Sequence, residues 1–364
     1  MSLSRLLHST VPSGVPTSSL RGTQETTVPP NRSRASSTKP LFTAKLTNKI
    51  PRRGAWLCYI GRMAALESAR VLLTGSSGLL GTALLASLKS RGFDVTRLVR
   101  GRVSGEDQIH WDPMRPPSPE SLAGVDAVIH LAGETVMGRW TAGKKAKIRD
   151  SRVTSTRNLV HAITSAQGRP RVLITASAVG YYGDRNDEPL NEMSSSGTGF
   201  LADVCREWEA AARPSADAGI RTVQLRTGVV LSREGGALRK MLLPFRMGIG
   251  GRIGSGRQWM SWIHIQDWVG AVQHILKNDL LQGPVNMVAP KPVTNIEFTK
   301  TLASVLSRPA IFPVPAFAAK LAFGEMAEDV LLASQRVEPA RLVHSGYPFQ
   351  YSELEKALVA ILKA

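Results

Sequence analysis

The stretch RVLLTGSSGLLGTALLASL, residues 70–88, sets the architecture of this chain. It starts as a short apolar run, passes through Gly75, Gly78 and Gly81, and continues with apolar residues at helical spacing. A strand, a tight glycine turn and a helix in this order are the context that a dinucleotide-binding fingerprint requires. In such a loop the first glycine makes the turn, the second lets the backbone approach a pyrophosphate, and the third allows close helix–strand packing. The sequence therefore predicts an anion site at the helix N-terminus, where free N–H groups and the helix dipole favour negative charge.

The next strand-like run, FDVTRLVR at 93–100, indicates which dinucleotide the site prefers. A site selective for NAD normally carries Asp or Glu about 20 residues beyond the glycines, but this region offers Arg97 and Arg100. A guanidinium binds a 2′-phosphate in bidentate fashion, whereas a carboxylate repels it. The sequence favours NADP, with Arg100 preferred because it ends the strand. The alternative is that either arginine is only a solvated side chain.

Strands and helices alternate beyond this point. Strand-like runs at 126–133, 171–178 and 221–232 are separated by a long basic helical stretch and by the helical stretch GFLADVCREWEAAARPSADAG. This alternation predicts an α/β fold, a Rossmann-like, doubly wound parallel sheet with helices on both faces. A ligand of such a sheet lies beyond the C-terminal ends of the strands.

The alternation fades past Ser232, which divides the chain. Residues 67–235 are predicted to form an NADP-binding domain and 236–364 a smaller C-terminal α/β substrate region, partly interleaved with the first. An aromatic, glycine-containing loop at 255–264 is expected to close over a substrate. The last helical stretch, SELEKALVAILKA, either packs in the core or contacts a membrane surface. No run approaches the ~18 uninterrupted apolar residues that a membrane span needs.

The net charge of +18 is unevenly distributed. Residues 1–66 hold ten Lys or Arg and one acid, so half of the excess, +9, lies there. A Ser-rich, basic, acid-poor segment is typical of an organelle transit peptide, and disorder alone is the alternative. We expect a chloroplast address, with the mitochondrion as second choice. No nucleic-acid partner is predicted, because the rest of the chain is much less basic and has no aromatic–basic repeat.

Several motifs carry a family likeness. TGSSGLLG, HLAG, SAVGYYG and LRTGVVL, in this order, resemble the extended and atypical short-chain dehydrogenase/reductases, and HLAGE, CREWE, GSGRQWMSWIH and GYPFQY resemble their NAD(P)-dependent epimerase family proteins of plant chloroplast type. The resemblance spans roughly 69–364 and implies NADP(H) and a sheet of about seven strands. Together with the residue-based candidates, the predicted cofactor-binding residues are Gly75, Ser76, Gly78, Leu79, Leu80, Gly81, Arg97, Arg100, Leu131, Ala132, Gly133, Arg152 and Val230.

The catalytic motif of that group is missing. Its members use Ser, Tyr and a Lys four residues after the Tyr, and the positive charge lowers the phenol pKa. Aligning Glu209 with the family's helical Glu places Leu201 at the Tyr position and Cys205 at the Lys position. No Tyr-x-x-x-Lys occurs anywhere in the chain.

The remaining catalytic candidates are Ser177, Tyr182 and Tyr181. Ser177 is either a catalytic hydroxyl or a strand-end serine that satisfies neighbouring groups. One of the two tyrosines is expected to pack or to stack on substrate. Cys205 is either a reactive thiol of low pKa or an inert buried cysteine.

Candidate substrate contacts lie on two loops. Glu134 follows the HLAG motif and binds substrate hydroxyls or caps the next helix. Trp262 and His264 belong to the aromatic loop, and His264 with Asp267 forms either an acid–base pair or a structural pair. No metal ligand is predicted.

Two classes of function remain open. The first is an NADP-dependent oxidoreductase or epimerase with a small polar or sugar-like substrate and unusual acid–base residues. The second, motivated by the missing Tyr and Lys, is a non-catalytic NADP-binding regulator or scaffold in the plastid, for which the resemblance implies a role such as chloroplast division. Either class is compatible with a monomer or a homodimer.

Overall fold

A computed structural model describes residues 69–363, so the predicted transit peptide at 1–66 lies outside the described residues. The strands are β1 Arg70–Thr74, β2 Asp94–Val99, β3 Gln108–His110, β4 Ala127–His130, β5 Val172–Ala178, β6 Pro189–Leu190, β7 Arg221–Thr227, β8 Val229–Leu231, β9 Trp259–Met260, β10 Trp262–His264, β11 Gly283–Met287, β12 Val293–Thr294 and β13 Arg336–Val337. The helices are α1 Leu79–Ser90, α2 Ala142–Asp150, α3 Val153–Ser165, α4 Phe200–Asp217, α5 Gly236–Arg246, α6 Ile265–Lys277, α7 Asn295–Leu306, α8 Ala316–Phe323, α9 Ala340–His344 and α10 Leu354–Leu362. Short 3₁₀ turns span Pro119–Leu122 and Val179–Tyr182, and a π-helix spans Ala327–Leu332.

Seven strands form one parallel sheet in the order β11-β7-β5-β4-β1-β2-β3. β1 pairs with β2 on one side and with β4 on the other, so the strand order reverses there. This confirms the predicted doubly wound α/β fold. A ligand crevice is expected at the carboxyl ends of the strands that flank such a reversal.

The two faces of β1 explain why this segment lies in the middle of the sheet. Val71 and Leu73 pack with Leu84 of α1 on one face, and Leu72 packs with Leu159 of α3 on the other. A parallel sheet buries both faces, so its strands are continuous apolar runs rather than alternating ones. The sequence RVLLT satisfies this requirement.

Two predicted elements are interrupted. The long basic helix between β4 and β5 is in fact two helices, α2 and α3, separated at Ser151 and Arg152, where Arg152 has φ −108° and ψ −61°. The predicted strand at 221–232 breaks at Gly228, where a Cβ would lie 2.5 Å from the carbonyl oxygen of Ser261. As a result β8 leaves the main sheet and pairs with β10.

The C-terminal part of the chain contributes to two cores. β11 completes the main sheet, and α6 covers it with Trp268 and Val272. A second core joins α5, α7 and α10 through Leu238, Phe298 and Leu358. The predicted division of the chain at 235/236 stays a prediction.

The final helix does not present an apolar face to a membrane. Its apolar residues Leu354, Ala357, Leu358 and Ile361 are buried in the second core with α7. The alternative of core packing is therefore correct for α10, because the face that a membrane would need is already covered. Within residues 69–363 no helix is both long and apolar enough to cross a bilayer.

Candidate functional site

The glycine turn is built on backbone geometry that other residues would disturb. Gly75 has φ +71°, and a Cβ there would lie 2.6 Å from the carbonyl carbon of Leu131. A Cβ at Gly81 would lie 2.1 Å from the carbonyl oxygen of Gly75. At Gly78, the N-cap of α1, the nearest contact is 3.4 Å and no side chain caps the helix. The first turn of α1 is therefore open to a ligand.

A cleft of about 680 Å³ lies beyond the C-terminal ends of β1, β2 and β4, and we call it the glycine-loop cleft. Its volume is within the range of roughly 300–1,000 Å³ found for small-molecule sites. Leu79, Leu80, Gly81, Arg152 and Val230 are not part of its wall. The predicted cofactor-binding residues that line it are Gly75, Ser76, Gly78, Arg97, Arg100, Leu131, Ala132 and Gly133.

The arginines of the cleft differ in their partners. Arg97 donates two hydrogen bonds to Asp107, of 2.6 and 3.1 Å, and Lys89 adds a third of 2.6 Å. These donors hold the pKa of Asp107 at about 2. Arg97 is thereby neutralised, whereas Arg100 is exposed and forms no ion pair with the described residues. Arg102 also lines the cleft and was not among the predicted residues. The recurrence of arginine in RLVRGR is the sequence signal that could have identified it.

Arg152 lies directly behind Gly133. Its Cζ atom would be 3.3 Å from a Cβ at Gly133, and it lies 5.2 Å from the centroid of the Trp208 ring. The guanidinium donates to the carbonyl of Ile148 at 3.1 Å but forms no ion pair within residues 69–363. Burial lowers its pKa. The Glu134 carboxylate acts on Arg152 from a distance, but no carboxylate among the described residues hydrogen-bonds to the guanidinium, so an anionic ligand nearby is favoured.

A buried histidine, His130, is connected to the cleft residue Ala132 through the hydroxyl group of Thr74. The His130 ring lies 2.7 Å from Thr74 Oγ1 through Nδ1 and 3.2 Å from Ser155 Oγ through Nε2. The backbone N–H of Ala132 donates to the same Thr74 hydroxyl at 3.2 Å. Burial lowers the pKa of His130 to about 4, so the ring is neutral at neutral pH.

A second group of polar residues, the polar cluster, lies at the end of β5 and consists of Ser177, Tyr182, Glu209, Arg226 and Asn286. Ser177 Oγ donates to Glu209 Oε1 at 2.7 Å, and Arg226 donates two hydrogen bonds of 2.8 Å to the same carboxylate. A serine hydroxyl has one proton, and a carboxylate only accepts. Ser177 is 4% exposed and its hydroxyl donates to Glu209, which favours the alternative of a strand-end serine that satisfies neighbouring groups; its catalytic role stays a prediction.

The hydroxyl group of Tyr182 is also hydrogen-bonded within the protein. Its hydroxyl accepts from Arg226 at 3.0 Å and lies 2.8 Å from Asn286 Oδ1 and 3.0 Å from the carbonyl of Asn191. The side chain is fully buried, and burial raises its pKa. Tyr182 thus cannot reach a substrate, and its predicted catalytic role is corrected. Tyr181 stacks under Arg226, whose Cζ lies 3.5 Å from the ring centroid, and lines a different cleft beside α4.

The residues at the missing Tyr and Lys positions are inert. Leu201 packs on Gly180, where its Cβ would lie 3.4 Å from an added Cβ. Cys205 is buried, and this burial raises the pKa of its thiol to about 12. The structure therefore supports the inert alternative for Cys205. Asp329, which no sequence motif singled out, accepts a 3.2 Å hydrogen bond from the N–H of Leu201 and lines a cavity of about 140 Å³ with Gly180.

The aromatic loop is structural rather than substrate-facing. Trp262 is fully buried, which corrects the prediction that it contacts substrate. His264 is also buried, stacks on Tyr351 at 4.0 Å and caps α6 by accepting a backbone N–H. Asp267 accepts backbone N–H groups of Gln350 and Tyr351 at 2.8 and 2.9 Å. The structural alternative for this pair is therefore correct.

Glu134 lies one residue beyond Gly133 at the rim of the glycine-loop cleft. Its Oε1 accepts a 2.7 Å hydrogen bond from Lys144, which holds the pKa of this carboxyl below its usual range. Its backbone N–H donates to Ser151 Oγ at 2.9 Å. Glu134 is therefore a fixed anion next to the cleft, and its contact with substrate stays a prediction.

Comparisons with known proteins agree with this architecture. The NAD dependent epimerase/dehydratase family matches residues 71–287, and a domain of unknown function (DUF1731) matches 314–361. The chain is 43% identical over 295 residues to Epimerase family protein Mb2239 of Mycobacterium bovis, covering 80% of this chain and 97% of that protein. It is 38% identical over 309 residues to the Arabidopsis thaliana protein named Epimerase family protein SDR39U1 homolog, chloroplastic, covering 80% and 86%.

One similar solved structure contains a dinucleotide. The crystal structure of human epimerase family protein SDR39U1 with NADPH aligns with a TM-score of 0.75 at 38% identity. The alignment covers 81% of this chain and 99% of the human one.

Proposed function

Because the chain belongs to the NAD dependent epimerase/dehydratase family, we propose that it binds NADP(H) in the glycine-loop cleft and acts as an NADP(H)-responsive regulator or scaffold. The observation that carries the second half of this proposal is the state of the polar cluster. The hydroxyl groups of Ser177 and Tyr182 form hydrogen bonds with Glu209, Arg226 and Asn286. The hydroxyl groups of these two residues are therefore engaged within the protein, whereas Tyr181 lines the cleft beside α4.

The cleft fits NADP(H) by its chemistry. Gly78 leaves the first turn of α1 open to a diphosphate, and Arg152 behind Gly133 adds a positive charge to which no carboxylate of the described residues is hydrogen-bonded. Arg100, without an ion pair among the described residues, is placed to hold a 2′-phosphate beyond β2. The NADPH in the similar human structure supports this assignment. Arg97 serves mainly to order the cleft through Asp107.

A second candidate function, an oxidoreductase or epimerase acting on a small polar or sugar-like substrate, is favoured by Asp329. Bound NADP(H) would supply or accept a hydride, and a proton donor or acceptor would still be needed. The Asp329 carboxyl lies beside Leu201, the position of the absent Tyr, and burial raises its pKa. A carboxyl of raised pKa is a usable acid–base group.

Turnover measurements separate the two candidates. The full chain is mixed with NADPH or NADP⁺ and a panel of carbonyl compounds and sugar nucleotides, while cofactor absorbance and cofactor binding are followed in parallel. The regulator is expected to bind NADPH without oxidising it. Steady turnover that Asp329→Asn abolishes, with NADPH affinity retained, would instead establish the enzyme.

We propose a plastid location for the protein. The Ser-rich, basic composition of residues 1–66 supports it, as does the chloroplastic name of the Arabidopsis relative. A fusion of residues 1–66 to a fluorescent protein is expected to enter isolated chloroplasts. Import into mitochondria alone would overturn this location.

A further inference from the structure

A group of large apolar side chains is exposed on the C-terminal part of the chain. Phe317 and Leu321 are 74% and 75% exposed. Single exposed apolar residues are ordinary, but a contiguous group marks an interaction site. We call this group the docking face, and its members are Leu243, Met247, Ile249, Ile311, Phe312, Val314, Phe317, Leu321 and Phe323.

Backbone contacts make the docking face continuous. The segment before α8 runs beside the turn after α5, because Val314 N–H donates to the carbonyl of Arg252 at 2.8 Å. A Cβ at Gly251 would lie 1.9 Å from the carbonyl oxygen of Phe312, so the two segments touch. α8 follows directly, and Phe317 and Leu321 lie four residues apart on one side of it.

The fold does not use the apolar side chains of α8. Of the sequence AFAAKLAF only Ala319 is buried. An apolar helix usually derives its stability from packing that face against a core. Among residues 69–363 this side of α8 is left exposed, so it offers an apolar surface to a partner.

The charge of the docking face indicates which kind of molecule binds there. Residues 236–260 and 307–324, which carry the face, contain no Asp or Glu. A second copy of the chain would bring like charges together, which is destabilising. Aromatic, Met and Arg side chains without acids are typical of the centre of a protein interface. The basic residues of these two segments are Arg239, Lys240, Arg246, Arg252, Arg257, Arg308 and Lys320.

A lipid surface fits less well than a protein. α8 has only eight residues and a single charged one, Lys320. A helix that lies in a membrane interface normally has a strongly charged face opposite its apolar one. Lys320 is moreover paired with Glu328 at 2.7 Å.

The docking face is linked to the glycine-loop cleft. Arg139 donates to the carbonyl of Leu321 in α8 at 3.2 Å, and Lys145 of α2 pairs with Glu325 just beyond α8. α2 ends one residue before Ser151, which lines the cleft, and two before Arg152. A ligand that orders this end of α2 thereby orders the support of α8.

We propose that the docking face binds an acidic amphipathic helix of a partner protein, and that bound NADPH strengthens this binding; the second part rests on the proposed function. The partner presents apolar side chains on one face and carboxylates on its edges. Arg246 and Arg308 then meet the carboxylates, while Phe317 and Leu321 enter the apolar face.

A labelled synthetic peptide tests the proposal. The probe is a helix of about 18 residues, five turns, with Leu and Phe on one face and Glu on the other. Its fluorescence anisotropy is measured with the full chain, with and without saturating NADPH. We expect binding that NADPH strengthens about fivefold. The double variant Phe317→Ser/Leu321→Ser should weaken it at least about tenfold.

Matched controls separate an effect on the docking face from a general effect on the protein or on NADPH binding. Leu280→Ser, at a site 90% exposed outside the docking face, should leave binding unchanged, and a scrambled peptide of equal charge should not bind. NADPH affinity is measured on every variant and should not change. Absence of peptide binding by a chain that binds NADPH overturns the docking proposal alone, and absence of NADPH binding overturns the proposed function. Binding to phosphatidylglycerol vesicles instead of the peptide, or a dimer that the double variant dissolves, overturns the proposal as well.

Discussion

The glycine-loop cleft and the polar cluster stand at the ends of neighbouring strands of one sheet, but they differ in whether their polar groups have partners. Arg100 in the wall of the cleft and Arg152 behind Gly133 form no ion pair with the described residues. In the polar cluster, Ser177, Glu209 and Arg226 satisfy one another. Unpaired cations favour an external anion, whereas a closed network of buried groups stabilises the fold. The glycine-loop cleft is therefore suited to an anionic ligand, whereas the hydroxyl groups of Ser177 and Tyr182 at the other strand end are engaged with Glu209, Arg226 and Asn286.

The largest expected effect comes from breaking the polar cluster. Arg226→Ala leaves the Glu209 carboxylate, whose side chain is only 14% exposed, without its bidentate partner and should lower the free energy of unfolding by about 3–5 kcal/mol. Urea denaturation measures this change. Arg206→Ala removes the exposed pair with Asp203 on the same helix and should cost under about 1 kcal/mol. Equal effects of the two variants would show that the cluster is not a closed structural unit.

The buried His130 next to the glycine-loop cleft should make the free energy of unfolding depend on pH. The folded pKa of His130, about 4, is lower than the value of about 6.5 in the unfolded chain, so as pH falls only the unfolded state takes up the proton. The stability that His130 contributes is therefore full above pH 6.5 and should fall by about 3 kcal/mol towards pH 4. Burial also lowers the pKa of His264 to about 4, so His130→Gln should remove about half of the fall in this window. Parallel profiles for both proteins would contradict the account.

The glycines of the cleft should separate binding from folding. Gly78→Ala places a methyl group where the protein leaves space, so NADPH affinity should fall about 30-fold, or 2 kcal/mol, with the unfolding midpoint nearly unchanged. Gly81→Ala forces a contact with the Gly75 carbonyl and should lower the midpoint itself. Calorimetric titration and thermal unfolding give the two readouts. A Gly78→Ala variant with normal affinity would place the diphosphate elsewhere.

The smallest expected effect distinguishes the two arginines of the cleft. Arg100→Ala should reduce the preference for NADPH over NADH about tenfold, because it removes an exposed cation of the cleft that forms no close ion pair with the described residues. Arg97→Ala should leave this preference nearly intact and act on stability through Asp107. Parallel titrations with both dinucleotides measure the ratio. A reversal of these roles would assign the 2′-phosphate to Arg97.

The sequence was most informative where the local backbone has few choices. Gly75 and Gly81 are required by a positive φ and a close approach, and the apolar run of β1 by burial on both faces, so the fold and the cleft were predictable. Partners that are distant in sequence were not. Glu209 lies 32 residues from Ser177, and no periodicity indicates that this carboxylate takes the serine proton. Trp262 was misread because an aromatic residue in a Gly-rich segment looks exposed until the packing around it is known.

The most direct test of the comparison is a calorimetric titration of the full chain with NADPH, repeated with Ser177→Ala. We expect saturable binding to one site, with an affinity that changes less than about threefold in the variant, because Ser177 contacts Glu209 and not the ligand. Absence of binding by the wild-type protein, or a loss of tenfold or more in Ser177→Ala, would contradict it.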